Sequence, residues 1–352
     1  MPVIQSTNII PVSFPLKNPF VTAAGHKTRT DNVQIIIRLS DGTRGKAEAS
    51  SSIAMPDQSQ KTMKRVLQTM AHDLGGQPIE TYRSLIARCW RHHAKHPTAT
   101  AAMECALLDV YTRWTGQSLS HFLGGEKTII ETDFTLSVGS PDDLYRSAKA
   151  ATRRGFRRLK VKLSGHAQKD HERVRAVRKA APRTKLVADG NQGFRLSEAL
   201  AFGKQVIQEK IPVVFFEQPF PRHDLRSARL FRKQCWLPLL ADESVRTAAD
   251  AERVFKTGAA DGVNIKIAKS GILGALEIIR VAKRFKKRLS IGCMEESKLG
   301  LAASVHLACG TGVFDWVDLD SVFLLDSRPL RGGFTIRGPH LSVRGIGPGI
   351  GM

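Results

Sequence analysis

Apolar and polar positions alternate over residues 33–39, break at Ser40-Asp41-Gly42-Thr43 and alternate again over residues 45–49, which predicts a β-hairpin closed by a Gly-containing turn. The apolar spacing then lengthens to that of helices over residues 59–74, 79–90 and 99–114, punctuated by Gly75-Gly76 with Pro78 and by Pro97. Residues 1–125 are therefore expected to form an α+β domain.

From Thr132 the texture changes to short β-type runs alternating with helices of roughly ten to fifteen residues, the pattern of βαβ units. Runs at 133–138, 159–163, 186–189, 213–217, 239–242, 263–267, 289–293 and 316–319 make eight strands. Ser140, Pro141 and Asp143 read as N-cap, N1 and N3 of one intervening helix, with Gly155 as its stop. The predicted fold class is α/β: a closed (β/α) barrel over residues 126–327 behind the α+β domain. The Gly- and Pro-rich segment 328–352, with one alternating stretch at 333–337, is expected to return to cover the N-terminal domain.

In such a barrel the catalytic groups sit where strands end and βα loops begin. Those ends carry Lys160 and Lys162 in Leu-Lys-Val-Lys-Leu, Asp189 in Val-Ala-Asp-Gly-Asn, Glu217 in Phe-Phe-Glu-Gln-Pro, Asp242 with Glu243 in Leu-Ala-Asp-Glu-Ser, and Lys266 with Lys269 in Asn-Ile-Lys-Ile-Ala-Lys. The steps from Lys162 through Asp189, Glu217 and Asp242 to Lys266 are 27, 28, 25 and 24 residues, about one βα unit each. A charge inside an apolar strand is costly to bury unless it is paired or binds a metal. Asp189, Glu217 and Asp242 form an all-oxygen set suited to Mg²⁺. A salt network with the lysines is the bland alternative. Lys160 and Lys162 point the same way along their strand, and mutual repulsion beside a metal is expected to lower a lysine pKa toward that of a general base. Lys266 lies four strand units away. Two lysines on opposite faces of one carbon suit removal and return of a proton, the geometry of epimerisation.

Composition narrows the partners. Lys plus Arg number 54 against 32 Asp plus Glu, a net charge of +22 that raises the question of nucleic acid. The basic clusters, such as Arg153-Arg154 with Arg157-Arg158 and residues 283–288, fall at helix ends without interleaved aromatics and read as solvated faces. No helix-turn-helix, zinc-finger or RNP pattern accompanies them, so no specific nucleic-acid partner is expected, and a basic binding protein stays a remote alternative. Five cysteines without C-x-x-C spacing read as buried free thiols rather than a disulfide framework or zinc site. No apolar run approaches the roughly 18 residues of a membrane span, and no signal segment is apparent, so no membrane partner and a cytoplasmic location are expected. A homo-oligomer is compatible with this reading.

Lys160-x-Lys162, Asp189-x-Asn191, Glu217-Gln218-Pro219, Asp242-Glu243-Ser244 and Lys266-x-x-Lys269 together resemble the enolase superfamily, muconate lactonising enzyme subgroup. Enolase-superfamily sites use a lysine base together with Mg²⁺. The resemblance implies a barrel of modified TIM type under an α+β capping domain, Mg²⁺ as cofactor, Lys162 and Lys266 with Lys160 as catalytic residues, and Asn191, Glu243 and Lys269 in support. Within the subgroup, residues 132–137, Gly292-Cys293-Met294 with Glu296-Ser297, and Asp318-Leu319-Asp320 are similar to the dipeptide epimerases, the family of L-Ala-D/L-Glu epimerase. That implies a dipeptide substrate whose α-ammonium group is held by Asp318 and Asp320, with Thr135, Lys160, Met294 and Glu296 also binding it, and a proton moved at the α-carbon next to the C-terminal carboxylate. Gly190 departs from the usual alanine, and Glu295 stands where an apolar residue is common. In Ala-Glu-specific members an arginine from an early loop meets the glutamate side chain. In the corresponding stretch, residues 20–30, an ungapped reading places Gly25 there, with His26, Lys27 and Arg29 nearby, so the second residue need not be glutamate. N-acylamino acid racemase, o-succinylbenzoate synthase and muconate cycloisomerase chemistry on the same scaffold are the alternatives.

Overall fold

The computed structural model describes residues 1–327 and 330–352; Arg328, where the C-terminal segment is read to begin, lies outside the described residues. Three strands, β1 (Ile4–Thr22), β2 (Gly25–Leu39) and β3 (Arg44–Ala49), form an antiparallel sheet in that order. Helices α1 (Gln60–Leu74), α2 (Tyr82–His93), α3 (Pro97–Trp114) and the short α4 (Leu119–Phe122) complete the N-terminal domain. The hairpin read over residues 33–49 is the β2/β3 pair. Ser59 caps α1 through its side chain, and Pro97 opens α3 at its first turn rather than merely separating it from α2.

One part of this domain escapes the pattern. Residues 20–30, read as a loop, are the tip of a long β1/β2 hairpin in which Phe20 faces Lys27, Val21 faces His26 and Thr22 faces Gly25. This arm is exposed on much of both faces, so no apolar stripe marks it. Pro11, Pro15 and Pro19 are tolerated because β1 is an edge strand that leaves one row of N–H groups unpaired.

The eight predicted strands are present as β5 (Phe134–Leu136), β6 (Arg158–Lys162), β7 (Lys185–Asp189), β8 (Val213–Glu217), β9 (Leu239–Ala241), β10 (Gly262–Ile265), β11 (Arg288–Gly292) and β12 (Trp316–Asp318), following a short β4 (Ile129–Glu131). They hydrogen-bond consecutively and in parallel. The ring closes where Asp133 donates its N–H to the Val317 carbonyl at 2.9 Å and Leu319 donates its N–H to Thr132 Oγ1 at 2.8 Å. Helix α5 (Pro141–Arg153) begins with the predicted capping box of Ser140 and Asp143, and Gly155 follows it at φ +92°. The sixth strand is shorter than read: β10 stops at Ile265, Lys266 caps helix α10 (Ile267–Arg284), and Lys269 lies in that helix's first turn.

Period-2 alternation sorts the barrel strands into two populations. Outward residues such as Leu159, Val161, Ala188 and Phe216 join the main core under the helices. Inward, Val187, Phe215, Leu240 and Trp316 form a separate apolar cluster. Each lies two residues before Asp189, Glu217, Asp242 or Asp318, so the barrel has an apolar floor with charge one pleat above it. Some of the arginines read as solvated cover aromatic rings instead: Arg154 lies 5.1–5.3 Å from the centroids of Phe134, Phe156 and Phe323, and Arg158 lies 4.9 Å from that of Trp316.

The C-terminal segment pairs β13 (Thr335–Arg337) and β14 (His340–Ser342) with β4. It then reaches α3 and α4: Gly349 accepts the Leu119 N–H at 2.7 Å, and Asp109 accepts the Ile350 N–H at 2.6 Å. Among the described residues no helix is long and apolar enough to cross a membrane. Phe215→Ala, which empties part of the floor, should cost about 3–5 kcal/mol of stability, read as a lower urea midpoint with an unchanged m-value.

Candidate active site

The charged layer is built from alternate residues of neighbouring strands. On β6, Lys160 Nζ lies 2.9 Å from Glu217 Oε1, 2.8 Å from Asp318 Oδ2 and 3.0 Å from Asp189 Oδ2, while Lys162 Nζ lies 2.7 Å from Asp189 Oδ2. Opposite, after β10, Lys266 Nζ lies 2.8 Å from Asp242 Oδ2. Lys269 Nζ reaches Asp242 Oδ1 at 2.6 Å and donates to the Asp242 and Asn264 carbonyls. Asn264, which the sequence reading passed over, donates its amide to Glu217 Oε1 at 2.9 Å. Its signal was the same alternation that marks Lys266, two residues on.

The electrostatics correct one expectation. Burial alone would lower Lys160, but Asp189, Asp318 and Glu217 outweigh it and hold that lysine well above its usual value. Lys266 is likewise raised, burial being overcome by Asp242 in spite of Lys160. At Lys160 three carboxylates within 3.0 Å, rather than the neighbouring lysine, set the balance. The carboxylates divide in turn. Burial pushes Glu217 up to about 8, with Asp189 and Asp242 adding to it against Lys160, whereas Asp189, despite burial, is held at about 2 by Lys160 and Lys162.

Asp189 and Glu217 face each other in register on β7 and β8, and Asp242 stands just past β9. Their oxygens turn to lysines rather than converging. Among the described residues, the carboxylates that do bring one oxygen each within 4.8 Å of one another are Asp133, Asp318 and Asp320. Asp133 is fully buried, accepts Trp316 Nε1–H at 2.7 Å with one oxygen and has no partner for the other. Burial together with Asp318 and Asp320 raises it well above the usual carboxylate range. Burial and Asp318 push Asp320 up to about 7.

A cleft of about 580 Å³ opens over this layer, between the β1/β2 hairpin tip and the barrel mouth. Thr135, Lys160, Lys162, Asn191, Glu243, Lys266, Met294, Asp318 and Asp320 line it. Asp189, Glu217, Asp242 and Lys269 lie beneath. Thr135 donates its N–H to Asp320 Oδ2 at 2.6 Å. The side-chain oxygen of Asn191 and one oxygen of Glu243 are buried without partners, and burial with Asp242 pushes Glu243 up to about 7. Glu296 does not line the cleft: one oxygen accepts the Met294 N–H at 3.2 Å, and the side chain borders an adjoining cavity near Glu48 and Cys105. Ser321 holds the Glu296 carbonyl and Glu48 holds Ser297, which fixes the loop in that orientation.

The departures at 190 and 295 have physical reasons. A Cβ on Gly190 would lie 2.7 Å from Pro219 Cα, so alanine needs this loop to move. Non-glycine residues hold left-handed φ on either side, Asn191 at +39° and Gln218 at +32°. Gln218 earns its conformation by accepting the N–H groups of Asp242 and Ser244. Glu295 meets Lys27 at 3.4 Å across the cleft rim. His26 and Arg29 are exposed, and Arg29 pairs with Asp31.

Residues 4–124 match the mandelate racemase/muconate lactonizing enzyme N-terminal domain, and residues 143–352 match the enolase C-terminal domain-like description. The chain belongs to this family of the enolase superfamily. It is 35% identical to an aromatic dipeptide epimerase of Herpetosiphon aurantiacus over 99% of both chains. It is 33% identical to the L-Ala-D/L-Glu epimerase of Thermotoga maritima over 93% of this chain and 95% of that one. A dipeptide epimerase of Enterococcus faecalis, solved with Mg and L-Leu-L-Tyr, superposes with a TM-score of 0.94 at 27% identity over 99% of both chains.

Lys269→Met should cost about 3–5 kcal/mol, because it strips a buried cationic partner from the Asp242 carboxylate and takes one donor from each of the Asp242 and Asn264 carbonyls. Chemical denaturation checks this, and a loss below 1 kcal/mol would mean that water replaces the ammonium group.

Proposed function

We propose that the protein, an isomerase, epimerises dipeptides at the α-carbon beside the C-terminal carboxylate, with Lys162 and Lys266 as the acid/base pair. The observation that carries the reading is the placement of these two lysines, one at the end of β6 and one directly after β10, four strands on, both lining one cleft that Asp318 and Asp320 also line. The α-ammonium group of a dipeptide is a cation that two buried carboxylates suit, and Thr135 orients Asp320 toward it. With the substrate anchored there, the α-carbon of its second residue lies between the lysines. One lysine takes the α-proton, leaving an enolate, and the other returns a proton to the opposite face.

Asp189, Glu217 and Asp242 fit a divalent cation: the donors are all oxygen, and Glu217, driven up to about 8 by burial and by Asp189 and Asp242, would be relieved by positive charge. Mg²⁺ bound there supplies Lewis-acid stabilisation to the substrate carboxylate, worth several kcal/mol in the transition state. The chain's own share is to hold the lysines. Lys160 stays anchored to Asp318 and faces the substrate carboxylate as a fixed cation. Asn191, Glu243 and Lys269 hold the surrounding loops and Asp242. We place the cap at residues 1–125, the barrel at 126–327 and the returning segment at 328–352.

The second residue of the substrate is proposed to be apolar. Phe20, Ile53, Ala54, Met294 and Leu324 supply apolar lining. The described basic residues lining the cleft are Lys160, Lys162 and Lys266, each facing a carboxylate, and Lys27 is engaged by Glu295. The favourable relatives in this respect include one named an aromatic dipeptide epimerase.

¹H NMR in D₂O with Mg²⁺ should show loss of the α-proton and appearance of the second diastereomer for L-Ala-L-Phe or L-Ala-L-Leu, at least tenfold faster than for L-Ala-L-Glu. EDTA should stop it, and Lys162→Ala and Lys266→Ala should each abolish epimerisation. Equal or greater activity on L-Ala-L-Glu would overturn the apolar assignment. Asp320→Asn should cripple the reaction on dipeptides; full activity of that variant would turn the reading toward N-acylamino acid racemisation, whose substrate lacks the ammonium group. The pH dependence follows from Asp320: its raised carboxyl is neutral below about 7 in the free enzyme, while the substrate amine stays charged there. kcat/KM should therefore fall as pH drops through about 7, and a flat profile from pH 8 to 6 would count against an ionised Asp320 in binding.

A further inference from the structure

Helix α10 is interrupted directly beyond the candidate catalytic lysine. Lys266 caps it, one turn follows, and at Gly271 the chain turns to φ 68°, ψ −178° before the helix starts again. A restarted helix exposes N–H groups that have no acceptor within it. Here the acceptor comes from the other domain. Glu104, on α3 of the cap and fully buried, takes the Leu273 N–H on Oε1 at 2.7 Å. Its Oε2 takes Trp90 Nε1–H at 2.6 Å. A Cβ on Gly271 would collide with Glu104 Oε2, so glycine is needed both for the conformation and for the carboxylate. Burial pushes the Glu104 carboxyl up to about 7, and its place at the positive end of the restarted helix favours the ionised form.

The single turn between Lys266 and Gly271 is thus pinned at both ends. At its start, Lys269 returns its N–H to the Lys266 carbonyl and its ammonium group to Asp242 and Asn264. At its end, Glu104 fixes the break. Between them Ala268 packs against Met55 and Met294. Lys162 instead ends strand β6, paired with Asp189 on β7, and the loop beyond it is fixed by Asp170 of its own domain, which accepts the Ser164, Gly165 and His166 N–H groups.

We propose that Glu104 is a positioning residue of the capping domain that sets the placement of Lys266, and so acts on one face of the substrate and not the other. This rests on the two-lysine epimerase reading. The test separates the two faces. In D₂O with Mg²⁺, initial α-proton exchange is measured from the L,L and the L,D dipeptide individually, for wild type, Lys266→Ala and Glu104→Gln. Lys266→Ala identifies the diastereomer whose proton Lys266 removes. Glu104→Gln should slow that diastereomer at least fivefold more than the other, with the fold retained by circular dichroism.

Equal slowing of both, or no slowing, would overturn the proposal, since general loosening of the protein has no preferred face. If Glu104→Gln does not fold, Trp90→Phe, which releases only the second carboxylate oxygen, should shift the exchange ratio in the same direction, and an unchanged ratio overturns the assignment. A wild type that exchanges neither diastereomer would refute the epimerase reading instead. Amide hydrogen exchange then decides this one: faster exchange in Glu104→Gln confined to residues 266–273 supports positioning, and unchanged protection there overturns it.

Discussion

Inside the barrel, charge is stacked directly on an apolar floor, and the rest of the site follows from that. Val187, Phe215, Leu240 and Trp316 fill the interior; the next inward residues on the same strands are Asp189, Glu217, Asp242 and Asp318. Ionised groups over such a layer have no water beneath them, so every carboxylate must find a cation. Lys160, Lys162, Lys266 and Lys269 supply it, and the unequal supply sorts the acids: Asp189 has two lysines and stays ionised, while Glu217 shares one with its neighbours and is driven up. One more positive charge would relieve that conflict, which is the physical support for the divalent ion proposed at this site.

The capping domain is held to the barrel through polar contacts at particular points. Asn32 and Ser50 both donate to the Glu295 carbonyl, and Glu48 accepts from Ser297. Lys27 meets Glu295 at the rim, and Phe20 at the hairpin tip stacks 5.7 Å from Lys162 Nζ. The cleft is therefore walled on one side by the capping domain, through Phe20, Ile53 and Ala54, and charged by the barrel. Lys160, Lys162, Asp189 and Glu217 stand on paired barrel strands, whereas Lys266 follows β10 into a helix whose break is held by Glu104 of the cap.

Much of the fold was legible in the sequence because its period is built into it. Eight short runs at regular spacing are enough to name the barrel, and charges recurring every 24 to 28 residues mark the strand ends. The parts that were hidden lack such a period. The β1/β2 arm is wetted on both sides and interrupted by prolines, so its residues carry no face. Asp133 and Glu104 are single carboxylates in sequence, without a repeat to flag them, and their importance comes from distant partners: Asp318 and Asp320 for one, the broken helix at Gly271 for the other.

The sequence by itself determined the identity and order of the charged groups, because a barrel strand fixes which side of the sheet each residue faces and the repeat fixes which strand it occupies. Tertiary structure alone decided how those charges are shared. The rise of Lys160, against the expected fall, depends on carboxylates from three different strands approaching within hydrogen-bonding distance, and that of Lys266 on Asp242 just past a fourth. The turning of Glu296 out of the cleft depends on Glu48 and Ser321, far away along the chain. Electrostatic energy varies with distance in space and with exclusion of water, and neither is a property of sequence separation.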